Sequence, residues 1–224
     1  GFPDSDRHTH IDLNRSGTPL IEVVTHPDVR SATEAQEFLI RLKEILEYID
    51  VCDGNMEEGS LRCDANVSIC EPEAAELGTR TELKNINSFR FLGEAINFEV
   101  ERQTGVVDTG ERVIQETRLW NSAEKRTIPM RSKEEAHDYR YFPEPDLPSL
   151  VLNKEWIHGI RDSQPELPAV KRARFIEEYS LSQYDAEILT STRTLADYFE
   201  ATAALSLKPK DVANWVMGDF LRLL

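Results

Sequence analysis

The sequence predicts an α+β fold, with a mainly antiparallel sheet domain followed by an all-α region. Three observations lead there. Apolar and polar residues alternate with period 2 in several short runs before residue 145. Two long segments in that half carry helical spacing instead. From about residue 153 the texture changes to short helices and turns, with no convincing strand. The proline-rich segment "PEPDLPSLVL" (143–152) separates the two, giving domains 1–150 and 151–224.

Taken in order, residues 1–13 are polar and hold two of the five histidines, His8 and His10. "GTPLIEVVT" (17–25) is β-branched and bounded by Gly17, Pro19 and the His26-Pro27 turn, so it is expected to be a strand. Glu22 interrupts that apolar run, where a buried charge is costly without a partner. "SATEAQEFLIRLKEILEYID" (31–50) predicts a helix. Ser31 and Glu34 are spaced as a capping box. Phe38, Leu42, Ile45 and Ile49, with Leu39 and Leu46, form its apolar stripe.

"NMEEGSLRCDANVSI" (55–69) follows a turn at Asp53-Gly54-Asn55. Read as one strand, it puts Leu61, Cys63, Ala65, Val67 and Ile69 on one face. Glu58, Ser60, Arg62, Asp64, Asn66 and Ser68 fall on the other. "TRTELKNINS" (79–88) is a second strand, with Arg80, Glu82 and Lys84 on one face. Residues 89–103 are helical through Leu92, Ala95, Ile96, Glu99 and Val100. Strands are then expected around 111–120, 126–131 and 138–142. Glu116 and Arg118 share a face in the first of these, Asp138 and Arg140 in the last. In the second half, Ser182 is an N-cap for "SLSQYDAEILTS". "TLADYFEATAAL" and "KDVANWVMGDFLRLL" carry helical spacing.

The chain has 224 residues, a formal net charge of −15, 40% hydrophobic and 30% charged residues. These values suit a globular protein with its own core, and an acidic surface disfavours a general nucleic-acid coating role. No apolar run reaches the length of a membrane span, and no stretch reads as a signal peptide. Three cysteines, Cys52, Cys63 and Cys70, make no CxxC pair and are expected as buried free thiols in a reducing cytoplasm. The N-terminal Gly1 and the helix pattern running to Leu224 are expected to be cuts through a longer protein. There is no Walker A sequence, GxGxxG, HExxH or GxSxG.

Several strands thus present acids and bases together on one face, with Asn66, Asn85, Asn87 and Ser88 adding fixed dipoles. For any single strand a solvated face laced with ion pairs is the simpler explanation. The joint pattern suits a nucleotide–metal site. Carboxylates offer the oxygen ligands Mg²⁺ prefers, and Arg and Lys neutralise a transferring phosphoryl group.

"DLNRSGTPLIEVVTHPDVRS", "DGNMEEGSLRCDANVSI", "TELKNINSFRF", "QETRLW" and "MRSKEEAHDYRYFPEPDLP" closely resemble GatB, the B-component family of the aspartyl/glutamyl-tRNA(Asn/Gln) amidotransferases, over essentially the whole chain. The resemblance implies a glutamine-synthetase-like catalytic domain, here without its N-terminal "GLEVHxQL"-like strand, and the start of a helical domain whose tail domain is absent. It implies an ATP- and Mg²⁺-dependent ligase that works with an amidase subunit, GatA, and a small subunit, GatC, in the cytoplasm or an organelle. Such an enzyme phosphorylates the side-chain carboxylate of Glu-tRNA(Gln) or Asp-tRNA(Asn), and ammonia from glutamine then displaces the phosphate. By motif match, Glu57 or Glu58, Asp64 and, less directly, Glu22 are metal-site carboxylates. Arg62, Arg80 and Lys84 face phosphate or carboxylate, with Glu58, Asp64, Arg62 and Lys84 forming the catalytic set. Asn66, Asn85, Asn87 and Ser88 position groups by hydrogen bonds, and with Arg80 make the cofactor contacts. Period 2 favours Glu58 over Glu57, which could equally be a turn residue. The aromatic "YRYF" (139–142) reads as packing, and Arg90 and Arg131 as salt-bridge residues. Two alternatives stand beside this: a non-catalytic module that binds tRNA or the other subunits, and a kinase acting on a free amino acid.

Overall fold

The computed structural model describes residues 11, 13, 14, 17–72, 74, 76–130, 145, 146, 148–206 and 208–223. The chain divides into two units, Gly1–Arg30 and Ser31–Leu224. Expectations for His8, His10, Arg131 and residues 138–142 lie outside the described residues.

In the first unit the expected strand at 17–25 does not form. Residues 18–25 have no ladder pairing, and Leu20 and Val24 are 92% and 80% exposed. Strand propensity measures fit to a pleated, half-buried surface, and Leu20, Ile21, Val23 and Val24 are all exposed. Glu22 is exposed, so the expected burial penalty does not arise. The turn at His26-Pro27 does form: Asp28 N–H donates to His26 O at 2.8 Å, and Arg30 Nη1 to Pro27 O at 2.8 Å.

The second unit is α+β. Helix α1 (Ala32–Tyr48) starts where expected, and Ser31 Oγ accepts from Glu34 N at 3.1 Å. Its buried positions are Ala32, Leu39 and Tyr48, whereas Phe38 is exposed. Strand β1 (Cys63–Val67) follows, then β2 (Thr81–Ile86), helix α2 (Phe89–Asp108), β3 (Thr117–Asn121) and β4 (Arg126–Pro129). The sheet order is β1-β2-β3-β4. The β1/β2 and β3/β4 pairs are antiparallel, while β2 and β3 are parallel. That parallel pair needs a long crossover, which α2 supplies. Gly78 lets the chain into β2 pass close to the end of the β1 segment: a Cβ there would lie 2.0 Å from Ile69 O.

One face of the sheet packs on the helices. Val67, Leu83, Ile86 and Trp120 meet Leu92 and Ala95 of α2 and Leu39 of α1 in one core. The other face carries Asp64, Asn66, Glu82, Lys84, Thr117 and Leu119, which are exposed or half-buried. This division is the expected alternation, realised along β1 and over Thr81–Lys84 of β2, and interrupted at Asn85.

The rest is helical: α3 (Lys154–Ser163), α4 (Pro168–Tyr179), α5 (Gln183–Leu189), α6 (Arg193–Ala203) and α7 (Pro209–Trp215), which runs into a π-helical turn at Val216–Phe220. Ser182 Oγ caps α5 by accepting from Asp185 N at 3.1 Å. Phe175, Leu189, Phe199, Ala213 and Val216 centre a second core. Polar contacts tie α1 to it. Tyr48 Oη donates to Thr190 O at 2.6 Å, Arg41 Nη2 pairs with Glu187 at 2.7 Å, and Arg172 pairs with Glu44.

The cysteines are free, but they are not buried as expected. Cys70 is exposed, and Cys52 and Cys63 are half-buried. No helix among the described residues is long and apolar enough to cross a membrane.

Candidate functional site

The polar face of β1 and β2 gathers charges from two paired strands. Lys84 Nζ lies 2.9 Å from Asp64 Oδ2 and 3.0 Å from Glu82 Oε1. Thr117 Oγ1 on β3 donates to the other oxygen of Glu82 at 2.8 Å. One ammonium thus sits between two carboxylates contributed by adjacent strands. The Lys84, Asp64 and Glu82 side chains are 38%, 48% and 35% exposed. Water therefore screens the pairs, and they contribute little to stability. They are also accessible to a ligand.

The charges respond to one another. The hydrogen bond from Lys84 to Asp64, helped by Glu82, holds the ammonium pKa above its ordinary value against partial burial. For Glu82, burial acts upward. The bonds from Thr117 and Lys84 and the charges of Lys84 and Arg80 outweigh it, so the carboxyl lies below its usual range. Glu82 and Lys84 are therefore both charged at neutral pH. On the opposite face, burial and the neighbouring Asp64 charge push the Cys63 thiol up to about 11. A thiol that stays protonated at neutral pH is no nucleophile.

Glu57 and Glu58 do not belong to this row. The expected alternation from Glu58 to Asp64 is broken by a turn over residues 56–60, before β1 begins at Cys63. Asn55 builds the turn. Its Oδ1 accepts from Glu57 N at 2.9 Å and Glu58 N at 3.2 Å, while its carbonyl accepts from Ser60 N at 2.9 Å. Gly59 has φ +77°, and a Cβ there would lie 3.4 Å from Arg62 Nε. Arg62 therefore folds back along the turn instead of standing in a row with Asp64. Period 2 gives no preference for Glu58 over Glu57, and both are exposed.

The remaining expected residues divide by role. Asn66 is exposed on β1, and its Cα partner on β2 is Glu82. Arg80 is exposed just before β2 and acts on Glu82 through its charge. Asn85 is in the left-handed region, φ 66°, and its Nδ2 donates to Trp120 O on β3 at 2.9 Å. Asn87 is exposed in the link to α2. Ser88 is the N-cap of α2, its Oγ accepting from Phe91 N at 3.1 Å. Glu22 belongs to the other unit.

Two groups escape the sequence pattern. Alternation places Glu82 on the right face but does not assign it to the site, and nothing in the pattern singles out its partner Thr117. Beneath the sheet, Glu99 is 0% exposed. Arg102 donates to both its oxygens, at 2.6 and 2.9 Å, and Gln103 Nε2 donates at 2.8 Å. Gln103 Nε2 also reaches Val67 O at 3.0 Å, tying α2 to the end of β1. Arg118 Nε, 3.8 Å from Glu99, donates to Thr127 Oγ1 at 2.7 Å and so braces β3 on β4. The sequence signal for this network is a glutamate inside an apolar helical stripe.

Magnesium favours several oxygen ligands in near-octahedral array. Asp64 and Glu82 offer the right chemistry on one open face. Among the described residues, however, no three His, Cys, Asp or Glu side chains converge on a point. The described residues do not form a metal shell by themselves.

Residues 3–158 match the family described as the GatB/GatE catalytic domain. The chain is 53% identical over 221 residues to the GatB component of the aspartyl/glutamyl-tRNA(Asn/Gln) amidotransferase of Thermodesulfovibrio yellowstonii, covering 99% of this chain and 46% of that protein. Its counterpart in Oleidesulfovibrio alaskensis is 55% identical over 220 residues, 98% of this chain and 46% of the relative. That of Carboxydothermus hydrogenoformans is 53% identical over 214 residues, 96% of this chain and 44% of the relative. The chain therefore spans under half the length of the curated relatives it matches.

Proposed function

The chain belongs to the GatB/GatE family, and from that premise we propose that it serves as the GatB component of a tRNA-dependent amidotransferase, a ligase of the cytoplasm or an organelle. The proposed reaction activates the side-chain carboxylate of Glu-tRNA(Gln) or Asp-tRNA(Asn) by phosphorylation. Ammonia from glutamine, released by the amidase subunit GatA in complex with the small subunit GatC, then forms the amide. The domain boundary at 150 and the glutamine-synthetase-like relationship are part of the same proposal.

The chemistry demands such a route. A free carboxylate is a poor acceptor for ammonia, because oxide is a poor leaving group. An acyl phosphate supplies a good one. Two anions must approach, so the protein's task is to orient them and offset their charge. The observation that supports this reading is Lys84, an ammonium held between Asp64 and Glu82 on an open sheet face within the matched residues. Its three donors can be transferred to an incoming carboxylate or phosphate oxygen. Arg80 and Arg62, both exposed nearby in sequence, supply further positive charge, and Asn66 a dipole.

ATP and Mg²⁺ enter from the family resemblance alone. When bound, the ion would screen the phosphate charge. Asp64, with Glu57 or Glu58 from the turn before β1, is proposed to face it.

Co-expression tests this reading. The chain is produced with GatA and GatC, and Gln-tRNA(Gln) formation is measured from Glu-tRNA(Gln), glutamine and ATP. A full-length GatB serves as control. ATP-dependent product above the level given by GatA and GatC alone is the expected result. Binding of tRNA or of GatA and GatC without product, while the control is active, would instead identify a non-catalytic module. Phosphorylation of free glutamate without tRNA would identify the free-amino-acid kinase.

A further inference from the structure

The register of β1 on β2 contains one irregularity, and it lies at the candidate site. Cys63 pairs with Ile86, but Ala65 pairs with Leu83. Two residues of β2, Lys84 and Asn85, therefore stand opposite the single residue Asp64. This is a β-bulge, and bulges re-aim side chains. Asn85 is the residue that makes it. It adopts φ 66°, a conformation Asn tolerates better than most residues with a Cβ.

Asn85 also replaces a missing ladder bond. The parallel pairing of β2 with β3 runs Glu82↔Thr117, Leu83↔Arg118, Lys84↔Leu119 and then stops. The next position would set Asn85 against Trp120. There the side-chain Nδ2 donates to Trp120 O at 2.9 Å. Asn85 thus holds the bulge from both sides, by its left-handed backbone and by its amide. Immediately before it, Lys84 reaches Asp64 across the strand pair and Glu82 along its own strand. Without the bulge, Ile86 would lose its place on the core face with Leu83, since regular alternation would expose it.

We propose that Asn85 is a positioning residue: it locks the β2 bulge that aims the Lys84 ammonium between Asp64 and Glu82. It acts through Lys84 and Trp120, not by touching a nucleotide. This inference builds on the reading of Lys84 as a site residue, but it can be tested without it.

The first measurement uses the chain alone, with no tRNA or ATP. Lysine Nζ NMR detects an ammonium slowed in exchange by its carboxylate partners, and Lys84→Met assigns the Lys84 signal. Asn85→Ala, which disfavours positive φ and removes the donor, is expected to broaden the Lys84 signal beyond detection. Asn85→Gly keeps the conformation and loses only the bond, so an intermediate signal is expected; it also carries the test if the alanine variant does not fold. An unchanged Lys84 signal in a folded Asn85→Ala or Asn85→Gly variant overturns the proposal.

The second measurement separates this from the reading of function. In the complex with GatA and GatC, kcat is expected to fall on the order of 10-fold in Asn85→Gly with KM little changed, as for a misplaced group. A lost Lys84 signal with unchanged amidation would uphold the bulge and overturn the role of Lys84 in the reaction.

Discussion

The sheet with α2 and the helical region after residue 167 each build a core, by different rules. The helical core is aromatic and closed. Phe175, Tyr179 and Phe199 contact one another with ring centroids 5.1–5.5 Å apart. Its buried charge, Lys171, reaches outward to the more exposed Asp197 and Glu200. The sheet region instead places the carboxylate of Glu99 inside its core and leaves its charged face open. It also contains buried polar atoms, Gln103 Oε1 and Trp120 Nε1, with no hydrogen-bond partner among the described residues. Sequences keep such departures from a simple core where something other than stability is being specified. The contrast sets the sheet region, which carries the proposed site, apart from the helical one.

The sharpest way to break the contrast is in the helical core. Phe199→Ala removes a ring with no exposed surface and is expected to destabilise by about 3–5 kcal/mol. Urea unfolding checks this, and a loss below about 1 kcal/mol would mean the core collapses around the gap. In the sheet region, Glu99→Ala strands Arg102 and Gln103 and is expected to cost about 3 kcal/mol.

Glu99 also sets a pH dependence. Burial pushes its carboxyl up, but bonds from Arg102 and Gln103 and the Arg102 charge bring it below the ordinary value. A depressed folded pKa gives stability that is present above the unfolded value of about 4.3 and is lost as pH falls through the folded value. Unfolding curves between neutral and acid pH are expected to show that loss in the wild type and less of it in Glu99→Gln. Equal slopes in both would remove Glu99 as the cause.

A smaller effect is expected where the two regions meet. Tyr48→Phe deletes the bond to Thr190 O and is expected to cost about 1 kcal/mol. A larger loss would show that α1 and α5 depend on that single bond. Smallest is Lys84→Met, on a side chain more than a third exposed: a stability change within about 1 kcal/mol is expected, and a larger one would recast Lys84 as structural.

Helix starts are the easier features to read from sequence. Ser31 and Ser182 cap helices where their spacing says, because a cap is a local bond between neighbours. Alternation from Leu61 to Val67 gives the right core face for β1. It fails at Glu57 and Glu58, where the Asn55 side chain and Gly59 impose a turn that hydrophobic pattern does not encode. It fails again at residues 17–25, where β-branched residues have no ladder among the described residues. The Asn85 bulge is not legible, since register is set by the partner strand. Lys84 and Asp64 are legible as members of polar faces, but their meeting depends on that register.

The most direct test compares amidation with glutaminase activity in the GatA–GatC complex of this chain carrying Asp64→Asn or Lys84→Met. Gln-tRNA(Gln) formation from Glu-tRNA(Gln) and ATP is expected to fall by about 100-fold or more, with glutamine hydrolysis and folding retained. Amidation at the wild-type rate in both variants would contradict the assignment of this sheet face as the site of carboxylate activation.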